Sequence, residues 1–488
     1  MMLGCFGEAR DSVQGARDKR GILTRVLAKL PPHIVFLLIG GANAILLAIL
    51  TPPFQVPDEF QHFFRSYQLS VPEIWGSVQD GLPGSSIPAS LPDLVERTWG
   101  TPEIWYRPPP IAHPLVETWR EFRHPLEPER RKFTEFSTVH YSPLLYLPQT
   151  LGVAVGRLSG TSPLALLYLG RLANAVVAVL VIAWSLKVLP MGRSTALAVA
   201  LLPMAQFEYG SVAPDAMIIA AAFLLAALAL RASLRKTRPL IDVLFSSAAA
   251  GVICAKVVYA PLLAIGVPEI FRTVNSSMSG KTTRTLLPAQ IFVAAFALGF
   301  AALWLASTSS TILSLTPAAT IATNEAAILA EPQRFAQMLI TDIQSNGFIY
   351  ILEAIGVLGH LDLFLPSYVY VLAAVSLVLA CALTGTNDPR LDAVVILWNL
   401  CLIASVVLLI QTTLFVVSAS QGPFWEIRGV QGRYFLPLGA IAAATFASIK
   451  GIPKLKHSAE FAYALLLAII LVDTLSMDAT IVMGFHLF

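Results

Sequence analysis

Charge is what this 488-residue chain has least of: 13% of its residues are Asp, Glu, Lys or Arg, against 56% hydrophobic, and its mean hydropathy is +0.70. A soluble domain carries about 25% charged residues and a disordered segment is rich in charge, so neither class fits. The net charge of +3 is too small, and the basic residues too scattered over short loops, for a nucleic-acid partner. Cysteine is nearly as scarce. Cys5 lies in a charged N-terminal stretch, while Cys254, Cys381 and Cys401 fall in apolar runs without metal spacing, which predicts neither a disulfide framework nor a zinc site. No internal repeat is evident, so the inverted repeats common in secondary transporters find no support.

What is abundant is apolar length. About 20 mostly apolar residues span a bilayer, and such stretches recur from His33 to the C-terminus, which predicts an all-α polytopic membrane protein. The run Ile34 to Leu50 follows Arg10, Arg17, Lys19, Arg20, Arg25 and Lys29. It is long for a signal-peptide core and no small-residue cleavage pattern follows, so it reads as an uncleaved first helix. Residues 1–32 then form a basic cytoplasmic tail and residues 33–488 a single transmembrane domain. With the N-terminus inside, Lys187 and Arg193, the cluster around Arg235, and Arg272, Arg390 and Lys450 all return to the cytoplasm if about eleven helices cross (10–13). That count requires His140–Leu158 to lie in or dip into the outer interface, and Phe348–Leu358 to be a surface or re-entrant element.

The first extracytoplasmic loop, within residues 52–160, is the longest polar segment. Between Pro52 and Val139 it holds twelve acids and eight bases, a net of −4. Its Trp75, Trp99, Trp105, Tyr106 and Trp119 argue against a floppy linker and predict amphipathic helices lying on the membrane.

Polar residues gather at that outer face. Asp58 and Glu59, with His62 and Arg65, follow the first helix; His140 and Tyr146 open the interfacial segment. Gln206, Glu208 and Asp215 surround a turn, Lys256 sits in an apolar run, and Arg428, Arg433 and Tyr434 stand among glycines. Intramembrane ionisable groups are costly and mark sites by default. Carboxylates beside Arg, Lys and Tyr suit transfer of a sugar from a lipid phosphate. A base must deprotonate the acceptor hydroxyl, and cations must stabilise the departing phosphate. Asp58 is the candidate base, with Glu59 and Asp215 completing the catalytic acids; His62, Arg65, His140, Tyr146, Lys256, Arg428, Arg433 and Tyr434 are the candidate substrate-binding residues. Asp58 and Asp215 are equally placed to cap helices, and Arg433 to anchor at the interface.

Two runs carry a resemblance: Pro52-Pro53-Phe54-Gln55-Val56-Pro57-Asp58-Glu59-Phe60-Gln61-His62-Phe63 and Gly429-Val430-Gln431-Gly432-Arg433-Tyr434-Phe435-Leu436-Pro437. Over nearly the whole chain beyond the basic tail, it resembles the bacterial predicted membrane proteins called domain of unknown function 2142. That family is in turn similar to the GT-C glycosyltransferases, which use polyprenyl-phosphate sugars at the outer face. Asp58 and Glu59 match their acidic pair, Tyr141–Tyr146 after His140 loosely matches a second element, with Ser142 where a proline is usual, and Asp215 matches a later Asp. The resemblance implies a GT-C-like bundle in a bacterial inner membrane, a polyprenyl-phosphate sugar donor and an envelope glycan or lipid acceptor. It admits a divalent metal, but the sequence requires no cofactor, because the Asp58-Glu59 pair is contiguous and no second acidic cluster has ligand spacing. A transporter or flippase of a lipid-linked glycan is the alternative, with Asp473, Lys256 and Gln411 as its intramembrane candidates.

Overall fold

Proline withholds an N–H and its ring blocks the carbonyl one turn back, and several apolar runs of this chain are divided on that account. The structure, a computed structural model, describes residues 30–100, 115–233, 239–268, 283–316, 318–383, 391–417, 426–449 and 459–487. Helix α1 (Pro32–Leu50) begins on prolines, where a missing N–H costs nothing, and contains one π turn at Leu37–Gly41. After it come α2 (Glu59–Ser70), β1 (Ser77–Gln79), β2 (Leu82–Pro88), α3 (Ser90–Thr98), α4 (Leu115–Arg120), β3 (Arg131–Glu135) and α5 (Leu147–Leu158). The middle of the chain forms α6 (Pro163–Val188), α7 (Arg193–Ala200), α8 (Pro203–Tyr209), α9 (Asp215–Ser233), α10 (Pro239–Cys254), α11 (Thr283–Ser307), α12 (Ser309–Leu315) and α13 (Ala318–Ala330). It ends with α14 (Pro332–Gly356), the hairpin β4 (Val357–Leu358) and β5 (Leu363–Phe364), α15 (Ser367–Ala382), α16 (Ala393–Val417), α17 (Gly439–Ser448) and α18 (Ala459–Val482).

The protein is mainly helical with little sheet. Among the described residues five helices are long and apolar enough to cross a membrane, or six if α11 and α12, bent by 66°, count as one. Eleven crossings were expected, and the other runs are shorter or interrupted. The run Thr195–Tyr209 breaks at Leu201-Leu202 before Pro203, giving α7 and α8. The runs after Lys256 and Gly432 begin as 3-10 turns containing Pro261 and Pro437. The segment Phe348–Leu358 is not a separate re-entrant element. It completes the 25-residue α14 and enters β4, because the polar residues upstream bond one another and α16: Gln411 Nε2 donates to Asp342 Oδ2 at 2.8 Å. The expected cytoplasmic tail and the basic turns at 234–238, 269–282, 384–390 and 450–458 lie outside the described residues, as do Trp105 and Tyr106.

Helix α9 is the centre of the bundle, 83% buried, with Asp215 at its start. The end of α1, the start of α6 and the start of α9 share one end of the bundle, where Arg171 of α6 donates to the carbonyl of Ala48 at 3.1 Å. Helix α5 packs beside α6 at this end, with Gly152 and Gly156 facing Leu169 and Leu166. Twelve residues rise about 18 Å, less than a bilayer's apolar thickness.

The long loop is not a set of surface helices alone. Strands β1, β2 and β3 form an antiparallel sheet, with Ser77 opposite Gly84 and Ser85 opposite Thr134. Helix α2 is buried along most of its length beneath it. Phe60, Phe63 and Phe64 of α2, Leu91 and Leu94 of α3, and Trp99 form a second apolar core, separate from that of the bundle.

Candidate functional site

The turn from Pro52 to Glu59 is tied down by a buried ion pair. Glu59 Oε2 accepts from Arg171 Nη2 at 2.5 Å and Phe54 N at 3.0 Å, and Oε1 accepts from Arg171 Nε at 2.8 Å and Val212 N at 3.2 Å. Arg171 also donates to the carbonyls of Ala48, Thr51 and Pro52. Neither side chain has any exposure. Both oxygens of Glu59 are thus committed to holding the loop, and Glu59 turns away from its neighbour instead of joining it as an acid.

Asp58, one residue earlier, has the opposite environment. Its side chain is 51% exposed and its backbone is left-handed, with φ of 62°. Non-glycine residues hold that conformation at a cost of about 1–2 kcal/mol, and such strain concentrates at functional sites. Asp58 precedes α2, yet its carboxylate accepts no cap hydrogen bond from the helix. It lies 3.6 Å from Arg433 Nη2 instead.

Arg433 is the hub. Its Nη1 is 3.1 Å from Glu208 Oε1 and 3.7 Å from Asp215 Oδ2, and only 2% of the side chain is exposed. Asp215 Oδ1 accepts from Lys256 Nζ at 2.9 Å. The Tyr434 ring lies 5.5 Å from both Lys256 Nζ and Arg433 Cζ, within range of cation–π attraction. Two carboxylates, Glu208 and Asp215, and two cations, Arg433 and Lys256, therefore surround one half-open acid. The backbone before Arg433 is held by Gly432 N, which donates to Glu353 Oε2 at 2.7 Å. A side chain at Gly432 would strike the backbone of Tyr350 and Ala354.

A second layer sits beneath Asp58. His62 Nδ1 lies 2.8 Å from the Tyr146 hydroxyl, and burial lowers the pKa of His62 to about 4, so the ring is neutral at pH 7. Arg65 does not face the cluster. It donates to Tyr141 O at 2.7 and 3.2 Å and to Ile74 O at 3.0 Å, bracing the backbone next to the site. Burial lowers its pKa to about 10, which leaves it charged. His140 presents its carbonyl to Trp304 Nε1 at 2.8 Å, while its ring Nδ1 is buried without a partner. Arg428 stands outside, exposed and paired with Glu426 at 2.7 Å.

Beside Lys256 opens a cavity of about 390 Å³. Lys256, Tyr434, Tyr141 and His140 form its polar end, and Trp304, Leu305, Ile312, Leu409, Ile410 and Leu414 line the remainder. A cation at one end of an apolar chamber matches a ligand with an anionic head and a hydrocarbon body.

Sequence reasoning brought together Asp58, Asp215, Lys256, Arg433 and Tyr434, which the fold indeed places in one cluster. It gave no role to Glu208, noted only as part of a turn, or to Arg171. Both are ionisable residues in or beside apolar helices, and that property alone could have marked them. Tyr259, whose hydroxyl donates to Tyr434 O at 2.9 Å, carried no signal of its own.

Neither the curated proteins nor the solved structures contain a match to this chain. The family model described as predicted membrane protein (DUF2142) matches residues 43–442, a stretch that holds every residue of the cluster, and the chain belongs to that family.

Proposed function

We propose that the protein is a membrane glycosyltransferase that moves a sugar from a polyprenyl-phosphate donor to a cell-envelope glycan or lipid, from the extracytoplasmic face of a bacterial inner membrane. The observation that carries this reading is the contrast between Asp58, half-exposed and strained, and the buried Arg433 and part-buried Lys256 of the same cluster, next to an apolar cavity. Asp58 removes the proton from an acceptor hydroxyl as its oxygen attacks the anomeric carbon of the donor. The bond from that carbon to the phosphate oxygen breaks, and the electron pair leaves with the lipid phosphate. Arg433 and Lys256 meet the charge that develops there, and a buried setting makes their contribution larger than it would be in water. The lipid chain lies along Trp304, Leu409 and Leu414. The positive-inside bias of the sequence orients the N-terminus to the cytoplasm and the cluster outward.

The test is sugar transfer by reconstituted protein from a panel of radiolabelled polyprenyl-phosphate sugars to envelope extract, comparing the native chain with Asp58→Asn. Transfer by the native protein and its loss in a folded Asp58→Asn variant is the expected result. Equal transfer by both removes Asp58 as the base. Absence of transfer with movement of lipid-linked glycan across the vesicle wall would replace the transferase with a transporter.

A further inference from the structure

Below the cluster a chain of polar groups crosses between α1, α8 and α18. Gln206 lies in α8 just beyond the break after Leu201, and its Nε2 donates to the freed Leu201 carbonyl at 2.8 Å and to Thr474 Oγ1 of α18 at 3.1 Å. Asn43 Nδ2 donates to Gln206 Oε1 at 3.0 Å. At the far end the Asn43 amide meets Asp478, whose carboxylate oxygens lie 3.0 and 3.1 Å away. Gln206 is fully buried and Asn43 is 4% exposed, so water does not complete the bonds between them, while Asp478 at the end of the row is half-buried. Among the described residues no Lys, Arg or His pairs with Asp478.

The parity of this chain is informative. An amide offers a donor on one side and an acceptor on the other, so two amides in series present a donor at one end and an acceptor at the other. Here both ends, the Leu201 carbonyl and the Asp478 carboxylate, are acceptors. With Gln206 donating to Leu201 and Asn43 to Gln206, the Asn43 oxygen faces the Asp478 oxygens. Turning the Asn43 amide over satisfies Asp478 but sets its oxygen against Gln206 Oε1. Turning Gln206 as well moves the conflict to Leu201. Whichever way the amides stand, one oxygen–oxygen contact of about 3 Å remains, and in a buried setting each such contact needs a positive charge or a proton to bridge it.

We propose that Asp478, Asn43 and Gln206 form a monovalent-cation site inside the bundle, filled by a proton on the Asp478 carboxyl or by a sodium ion in its place. The proton turns Asp478 into a donor to the Asn43 oxygen and satisfies every group in the row. A sodium ion takes the same oxygens, with the carbonyl freed at a broken helix as a neighbour, an arrangement known for ion sites in membrane proteins. A π turn lies just before Asn43, and another follows Asp478 at Met483–Leu487; such turns often accompany functional sites. Gln206 and Glu208 sit two residues apart on α8, and Glu208 holds Arg433. The two groups share α8 without touching, so any coupling between the cation site and the cluster would run through that helix and act in both directions. None of this depends on what reaction the cluster performs.

The test is infrared difference spectroscopy of reconstituted native protein minus Asp478→Asn at neutral pH, in sodium-free and in sodium-containing buffer. A carboxylic-acid carbonyl band that belongs to the native protein in both buffers supports the site with a proton in it. A band present without sodium and lost on its addition supports the site with sodium as the competing occupant. Carboxylate bands alone in both buffers, unchanged by sodium, would overturn the proposal. Should Asp478→Asn not fold, native protein titrated to alkaline pH must lose the same band, and Asp473→Asn must retain it; an alkaline titration that leaves the carbonyl region unchanged counts equally against the site.

Discussion

Arg433 and Glu208 meet at 3.1 Å with 2% and 0% of their side chains exposed. Removing one partner from such a pair leaves the other charge buried and uncompensated, a cost of about 3–5 kcal/mol. Arg433 also neutralises Asp215 and Asp58, so Arg433→Met is expected to cost more than Glu208→Gln. The double variant should lose less than the sum of the two, since the second change removes a charge the first left stranded. Thermal unfolding in detergent of the four proteins in this cycle checks it, and strictly additive losses would show that the two side chains do not act as a pair.

Asp58 and Glu59 are adjacent in sequence and opposite in predicted effect. Replacing Asp58 by Gly removes a carboxylate that caps nothing and relieves a left-handed backbone, so folded stability should rise by about 1 kcal/mol while sugar transfer is lost. Glu59→Gln breaks a sealed pair with Arg171 and should lower stability by about 3–5 kcal/mol. Unfolding midpoints beside transfer rates separate the two. A marked loss of stability in Asp58→Gly would mean that its carboxylate is structural.

This contrast shows why part of the site was legible and part was not. A charge in an apolar run announces itself, which is how Lys256, Asp215 and Arg433 could be grouped before any fold was known. The direction in which Asp58 and Glu59 point could not be read, because it depends on Arg171, 112 residues away from Glu59. The sheet was equally hidden. Strand β2 reads Leu-Pro-Gly-Ser-Ser-Ile-Pro, with two prolines and a glycine that argue against a strand, and its partner β3 lies across the α3–α4 segment. Where the expected spans and the long helices of the described residues differ, hydropathy counts apolar residues without asking where Pro203, Pro261 and Pro437 interrupt the helical bonds.

Gly432 offers a test of how closely Arg433 must be placed. Its backbone approaches α14 so closely that a single methyl group would meet Tyr350 and Ala354, and its N–H bonds Glu353. Gly432→Ala should cost about 1–3 kcal/mol by overpacking and shift the guanidinium away from Asp58. Transfer should fall at least tenfold in protein that still folds, by the sensitivity of catalysis to small displacements. Gly429→Ala meets no such contact in the space around it, though its φ of 81° also disfavours a side chain, and should leave transfer closer to native. Equal losses in the two variants would point to loop strain in place of the α14 contact.

Acid should weaken the fold through two buried histidines. Burial lowers His62 to about 4, against the opposing pull of Asp58 and Asp215, and burial likewise lowers His140 to about 4. Above the unfolded value of about 6.5 both rings are neutral in either state, and stability does not depend on them. Between pH 6.5 and 4 the unfolded chain binds protons that the folded chain refuses. Stability then falls as pH falls, by about 1.4 kcal/mol per pH unit for each histidine. Below about 4 both states are protonated and the slope vanishes. His62→Gln keeps a polar group against the Tyr146 hydroxyl while removing one titration, so its midpoint should decline with roughly half the native contribution from these two rings. Unfolding midpoints of both proteins between pH 7.5 and 4.5 measure this directly; parallel curves would mean that His62 takes up its proton equally in the folded and unfolded chain, and that the Tyr146 contact does not exclude it.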